Sequence, residues 1–501
     1  MTVATAVCLA TWVAPNVGAA TTLLHSFAGY PTDGYYPEYE TPLVNGSTIY
    51  GLTRNGGSSD YGVVFRVSTV GTEYTVLHNF APYTMQAPNG REPFGSLALS
   101  GSTLYGMTTG GGGSGTGTLF KIDTDGSGFG LLHSFTGGGT DGANPYGSVI
   151  ISGTTMYGMT YGGGDSPSFG TIFKINVDGS GYTILHDFDG GSTDGANPYG
   201  QLTLSGSTLY GMTFRGGSSS NLGTIFKIDT DGNNFSLLHS FLGGSTDGNS
   251  PQGSLALAEG TLYGMTTVGG ANQGTVFKIN TDGSGFGLLH SFVISASDGT
   301  NPSGDVTVVG SKLYGMTYGG GSSGIGTVFQ MNTDGSGFSL LHSFTGGAAD
   351  GKRPFGSLSL SGSTLFGLTE RGGTSGDGLG TIFAIPVVIL PGDYNSDSKV
   401  DAADYVVWRK YNNTAMTLPN DSTPGTDVSD YDVWQVHFGQ IAGSGSGSSL
   451  ESTTAGVPES TSTALLFIAT IATAMWNRHQ YTYRKNNSCS RVDRASASGT
   501  R

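Results

Sequence analysis

One string, LLHSF or a close variant, returns seven times along the chain, with its histidine at His25, His78, His133, His186, His239, His290 and His342. The intervals are 53, 55, 53, 53, 51 and 52 residues. A fixed period of this length means that each unit is one supersecondary element unable to bury its faces alone, so the units must stack. Two further strings keep the same phase. YGMT-like segments place a ring at Tyr50, Tyr105, Tyr157, Tyr210, Tyr263, Tyr314 and Phe366, and GTVFKI-like segments place one at Phe65, Phe120, Phe173, Phe226, Phe277, Phe329 and Phe383.

Within a unit, short runs of Leu, Ile, Val, Phe, Tyr and Thr alternate with Gly, Asp, Asn and Ser clusters, which predicts strands and tight turns and leaves no window for an amphipathic helix. The unit from Ser148 divides into four strands, 148–152, 155–160, 171–176 and 182–188, the last two joined by Asp178-Gly179, a hairpin signal. Four antiparallel strands per unit of about 50 residues predict a propeller blade, and the fold class is all-β, a seven-bladed β-propeller of ~52-residue repeats. A parallel β-helix is the rival, but its repeat is far shorter. The phase at the ends supports a ring. The chain enters on a lone fourth strand, 22–27, and the last unit stops after its third, 380–385, so the two fragments complete one blade and remove the exposed sheet edges. The propeller is expected over residues 21–386.

Composition then excludes functions. With 87 Gly, 11% charged residues, a formal charge of −15 and only 21 Lys and Arg, no basic surface exists to neutralise phosphates, so nucleic acid is not expected as a partner. Two cysteines exclude a disulfide framework. The apolar run 3–14, followed by the small residues up to Ala20, predicts a signal peptide over 1–20 and an exported protein at the cell surface or beyond it.

The strings LHSF, GSL, LYGMT, GG and GTVFKI, as in Leu132–Phe135 and Leu104–Thr108, resemble the choice-of-anchor tandem repeats, also called GloVer repeats, across about residues 21–386. The resemblance implies an exported surface protein and supplies no catalytic residues.

The recurring histidines are expected to hold a backbone or Asp/Ser partner within each blade rather than a metal, since they lie a blade apart. Asp33, Asp141, Asp194, Asp247, Asp298 and Asp350 each precede a glycine in a blade-entry loop, where an Asx-type turn is expected. Strand alternation brings the blade-entry loops and the loops after YGMT to one face. That face carries Phe94, Tyr146, Tyr199 and Phe355 after loop prolines, and Tyr161, Phe214 and Tyr318 after YGMT. These aromatics are the ligand-binding candidates, with polysaccharide as the ligand class, although packing between blades accounts for them equally simply. Glu38, Arg54, Arg91, Arg215, Glu370 and Arg371 break the repeat in otherwise uncharged loops, and they are the candidates for the alternative, a glycan-active hydrolase or lyase.

Composition changes after Pro386. Asp393, Asn395, Asp397, Asp401 and Asp404 stand at positions 1, 3, 5, 9 and 12 of a twelve-residue loop, with the carbonyl of Lys399 at position 7, the spacing that wraps oxygen ligands around Ca²⁺. Ser398 replaces the usual glycine and Asp404 the usual glutamate. A short helix, 405–411, follows, and the phrase D-Y-x-V-W returns at Asp430–Trp434. The duplication resembles a type I dockerin, a small α-helical EF-hand-like module over 392–440. The resemblance implies docking to a cohesin-like or other surface partner and extracellular carbohydrate breakdown by associated enzymes. The second loop is degraded, with Pro419 and Thr423 at positions 1 and 5. A Gly/Ser linker, 441–457, leads to Val457-Pro458-Glu459-Ser460, an apolar run 464–476 and the basic Arg478, Arg484 and Lys485. This segment, 458–485, resembles a PEP-CTERM tail with Ser460 at the second proline position. It implies an apolar sorting helix and a processing protease, a retained anchor being the alternative.

Overall fold

The structure, a computed structural model, describes residues 21–38, 40–81, 89–165, 169–374, 378–387, 392–394, 399–412, 418 and 426–440. Seven four-stranded antiparallel blades form a propeller. In the third blade the strands are Ile150–Ser152, Thr155–Thr160, Thr171–Asn176 and Thr183–Asp187, close to the expected bounds. The closing strand, Thr22–Ser26, pairs antiparallel with Thr381–Pro386 and completes the seventh blade. A second, two-residue ladder in each unit, such as Gly142–Ala143 with Gly162–Gly163, ties the blade-entry loop to the loop after YGMT. Sequence alternation cannot reveal a ladder this short. In the second and seventh blades it extends to Gly90–Pro93 and Gly351–Pro354, which merge into the blade sheet.

The hydrophobic core lies between blades. Tyr105, Met107, Leu119 and Phe135 of the second blade pack against Val149, Met156, Phe173 and Ile175 of the third, and the same set repeats around the ring. The closing seam is built alike, from Leu24, Phe27, Ile382 and Phe366 against Ile49, Val63 and Phe65. A buried blade face explains why YGMT and VFKI read as continuous apolar runs.

Each fourth strand carries a bulge, which in the second blade lies opposite Leu119 and Phe120 and leaves Leu132 as the extra residue. The glycine of the next blade's Asp-Gly turn rests on that leucine. A Cβ on Gly179 would lie 3.0 Å from the Leu132 carbonyl, at a φ of +89° that already favours glycine.

Around the axis the innermost segments touch backbone to backbone, and a Cβ on Gly147 would stand 2.1 Å from the carbonyl oxygen of Gly200. Neighbouring blades are latched there by Ser96 N–H donating to Ser148 Oγ at 2.6 Å and Asp305 N–H to Ser357 Oγ at 2.7 Å. Only the first blade breaks the glycine ring. Glu40 takes that position, bridging Gly356, and its carboxyl lies against Gly51, where Leu97 and Leu202 lie against the equivalent glycines Gly106 and Gly211.

Past the propeller, α1 (Ala402–Tyr411) and α2 (Val428–His437) are built as a pair. Both open on a capping box. Ala403 N–H donates to Asp401 and Asp401 N–H to Asp404, while Ser429 N–H donates to Asp427 and Asp427 N–H to Asp430. The indoles cross over, Trp408 donating to the Asp427 carbonyl and Trp434 to that of Asp401, both at 2.7 Å. Tyr394, Val400, Trp408, Leu418 and Trp434 form the core of the pair. Among the described residues no helix is long and apolar enough to cross a membrane. The expected signal peptide, linker and sorting tail lie outside the described residues.

Candidate functional site

Aligned on the blade-entry proline, the seven units present Glu38, Phe94, Tyr146, Tyr199, Gln252, Ser303 and Phe355 after it, and Arg54, Thr109, Tyr161, Phe214, Thr267, Tyr318 and Glu370 after YGMT. The propeller carries these positions to one face, and their size decides its relief. Where aromatics follow each other the rings fill the space. Phe94 meets Tyr146 edge-on at 5.0 Å, Tyr146 stacks on Tyr199 at 4.8 Å, and Tyr161 and Phe214 close on Tyr199 at 5.3 and 5.7 Å. Burial and the neighbouring Tyr146 hydroxyl push the Tyr199 hydroxyl up to about 12. Five of the seven candidate aromatics therefore pack on one another.

The first, fifth and sixth blades have Glu38, Gln252 and Ser303 after the proline, and there a cavity of about 420 Å³ opens. Its walls are Glu38, Gln252, Thr267, Asn301, Ser303, Tyr318, Phe355 and Glu370. The other two candidate aromatics, Tyr318 and Phe355, lie here with their rings 5.6 Å apart, edge to face. Both carboxylates are held by arginines: Glu38 by Arg54 at 3.0 Å and Glu370 by Arg371 at 3.0 Å. Burial and the nearby Glu370 charge outweigh Arg54 and raise the Glu38 carboxyl above its usual value. Arg353 lies over the Tyr318 ring at 5.4 Å and Arg371 over Tyr36 at 4.1 Å. Of the other repeat-breaking charges, Arg91 pairs with Glu92 at 2.9 Å, and Arg215 lies over Phe214 on the aromatic side of the face.

The residue before each loop proline is left-handed in all seven units. In the third, fourth and sixth it is Asn144, Asn197 or Asn301, a residue type that tolerates this backbone, and each donates its side-chain amide to a carbonyl of the preceding blade. In the seventh, first and second blades the position holds Arg353, Tyr36 and Glu92 at φ of +56°, +56° and +54°. Bulky residues are strained there, and such strain collects at functional sites. The three blades are consecutive and surround Glu38, Arg54, Glu370 and Arg371. The signal was present in the sequence, in the residue before each proline, but only the backbone shows that the position is left-handed.

The recurring histidines do not reach this face. His133 Nε2 donates to Asp141 at 3.0 Å, and the pair recurs in six units, with His78 and Asn89 in its place in the seventh. Burial opposes the Asp141 charge, but His133, Tyr182 and the Thr136 N–H together hold its carboxyl below the usual range.

In the helical pair, Asp393 and Asp404 are buried and Asp401 caps α1. Lys399 is exposed, and Asn395 and Asp397 lie outside the described residues. Among the described residues no group of three or more His, Cys, Asp or Glu side chains is disposed to hold a metal.

A family model described as the Gloeobacter/Verrucomicrobia repeat matches residues 12–168, 138–309 and 271–390. No curated protein matches the chain. Among solved structures it is similar to a nidogen/laminin complex chain at 15% identity over 57% of this chain and 92% of that one, with a TM-score of 0.36. It is also similar to an oligogalacturonate lyase in complex with manganese at 11% identity over 75% and 94%, with a TM-score of 0.46.

Proposed function

The chain belongs to the Gloeobacter/Verrucomicrobia repeat family, and from that premise we propose that it is an exported, surface-displayed binding propeller. In this reading it captures its ligand at the loop face and docks through a calcium-dependent, dockerin-like module at residues 392–440. The observation that carries the binding role is the break in the repeat. Charged and strained residues gather on the seventh, first and second blades, beside a cavity that exists because the neighbouring blades lack the filling aromatic. A purely structural ring has no need of either.

Calcium is supported by the chemistry of the donors. Asp393 and Asp404 are withdrawn from solvent within a small apolar core, where a divalent cation would offset their charge, and Asn395, Asp397, Asp401 and the Lys399 carbonyl would complete an oxygen shell. Such a module presents a surface to a cohesin-like partner. The segments 1–20 and 458–485 would serve export and sorting, the latter through a processing protease or as a retained anchor. Calcium titration of the full chain, followed by the fluorescence of Trp408 and Trp434, tests the module. A saturable change lost in Asp393→Ala is expected, and an unchanged signal would remove calcium from the reading. Finding the full-length protein in the cytosol would remove export.

Glu38 and Glu370, two carboxylates lining one cavity, favour a second reading, in which the same cavity hydrolyses or cleaves a glycan. Reducing-end release from polysaccharide by the purified chain, abolished in Glu370→Gln, would move the protein to that class.

A further inference from the structure

We propose that the cavity between the fifth and first blades is a subsite for an uncharged, hydroxyl-rich ligand, a neutral sugar unit, with Ser303, Glu38 and Glu370 as its hydrogen-bonding groups and Tyr318 and Phe355 as its apolar wall. The inference rests on the binding reading above and names its ligand class.

Charge excludes the alternatives. An anionic ligand would face two carboxylates that line the cavity itself. A cationic ligand would meet carboxylates whose charge Arg54 and Arg371 already balance, and Arg353 already lies over one face of Tyr318. Each Glu–Arg pair leaves a carboxylate that is fixed and charged yet locally compensated, a strong acceptor for a ligand O–H that does not demand a positive partner. The ligand should therefore carry several hydroxyl donors and no net charge.

A second observation points the same way. Ser303 Oγ is withdrawn from solvent and has no hydrogen-bond partner among the described residues, although the residue lines both this cavity and a void of about 20 Å³ among the axial glycines. A buried hydroxyl without a partner is costly, and a rotation of the Ser303 side chain toward the cavity would let a hydroxylated ligand both accept from it and donate to it. At about 420 Å³ the space has the size of ordinary small-molecule sites, and amides from Gln252 and Asn301 beside two aromatic rings match a ring that is polar at its edge and apolar on its face.

The test is calorimetric titration of the full chain with three probes: a neutral oligosaccharide panel of cellotetraose, xylotetraose and mannotetraose, tetragalacturonic acid, and spermidine. At least one neutral tetramer should bind. Ser303→Tyr, which fills the cavity, and Glu370→Gln should each weaken it tenfold or more, while Tyr161→Ala on the aromatic side should leave it within twofold, with folding of every variant checked by its thermal transition. Binding of the acidic or cationic probe alone, or of none, overturns the ligand class. Neutral binding untouched by Ser303→Tyr overturns the site while leaving the propeller a binding protein. Capture of a polysaccharide by the full chain in a pull-down, with none of the tetramers bound, likewise sinks the subsite alone.

Discussion

The imidazole of His133 lies flat against the ring of Tyr182 in the next blade, 4.0 Å between centroids and 8° from parallel. One side chain thus joins three segments: its own strand, the Asp141 loop through Nε2, and the neighbouring blade through its face. The arrangement recurs from His25 on Tyr74 to His290 on Phe338, with centroid separations between 3.6 and 4.0 Å. The repeated histidine is therefore the fastener between blades, which is why it keeps its place while the loops vary.

Replacing His133 by Ala should lower the unfolding free energy by about 1–3 kcal/mol, combining a lost ring stack with one hydrogen bond removed from a part-buried carboxylate. Tyr182→Leu removes the stack and the Tyr182 hydroxyl while sparing the histidine, and should cost less. Denaturant titrations of the two variants and the double mutant check this. A double mutant equal to the sum of the singles would mean that the rings do not couple.

His78 is the member of the set with a neutral partner, Asn89, at 3.2 Å. Burial pulls its pKa below the usual value and the Asn89 bond only partly restores it. A base with a depressed folded pKa binds its proton more readily unfolded. This seam is therefore at full strength above the unfolded value of about 6.5 and loses stability as pH falls through that value toward the folded one. Asn89→Asp, which recreates the partner of the other units, should raise the His78 pKa and flatten the stability profile between pH 7 and 5. Urea midpoints at several pH values read the outcome, and parallel profiles for the two proteins would refute it.

Glu40 is 1% exposed at the break in the axial glycine ring. Its Oε1 accepts from Leu52 N–H at 2.5 Å, while Oε2 has no partner among the described residues. Burial raises its carboxyl well above the usual value. An acid with a raised folded pKa binds its proton more tightly folded, so its contribution is complete below the unfolded value of about 4.3 and is lost as pH rises toward the folded one. Glu40→Gln keeps the shape without the ionisation. It should be more stable than the parent at pH 8 and near parity at pH 4, and thermal scans at the two pH values would show whether the gap opens in that order.

The blade count, the strand order and the closing of the ring are legible in the sequence because LHSF, YGMT and GTVFKI recur in phase and the two chain ends are complementary. The contacts between units are not. That Leu132 receives Gly179, or that His133 finds Tyr182 rather than a partner in its own blade, depends on how neighbouring blades are offset, which no period within one unit records. The candidate site was half legible. Glu38, Arg54, Glu370 and Arg371 stand out as charges in uncharged loops, and Tyr318 and Phe355 as aromatics on the right face. That Phe94, Tyr146, Tyr161, Tyr199 and Phe214 satisfy one another, while Gln252 and Ser303 leave a hole, follows from ring-to-ring distances that composition cannot supply.

The aromatic that receives each histidine stands four residues before the next one: Tyr74, Phe129, Tyr182, Phe235, Phe286 and Phe338. In the closing strand that position is Thr21, so the register sets Thr21 opposite His342, the member of the set with no aromatic stack among the described residues. Thr21 Oγ1 is moreover buried without a hydrogen-bond partner there. The seam between the sixth and seventh blades is therefore the weakest of its kind, and it holds the strand on which ring closure depends. Thr21→Phe should supply the missing stack and remove the stranded hydroxyl, raising stability by about 1–2 kcal/mol. The same change combined with His342→Ala should lose most of that gain. Differential scanning calorimetry of the parent, both singles and the double decides the matter. A Thr21→Phe transition at or below the parental temperature would mean that the closing strand is not set against His342 in the way the other six are set against their histidines.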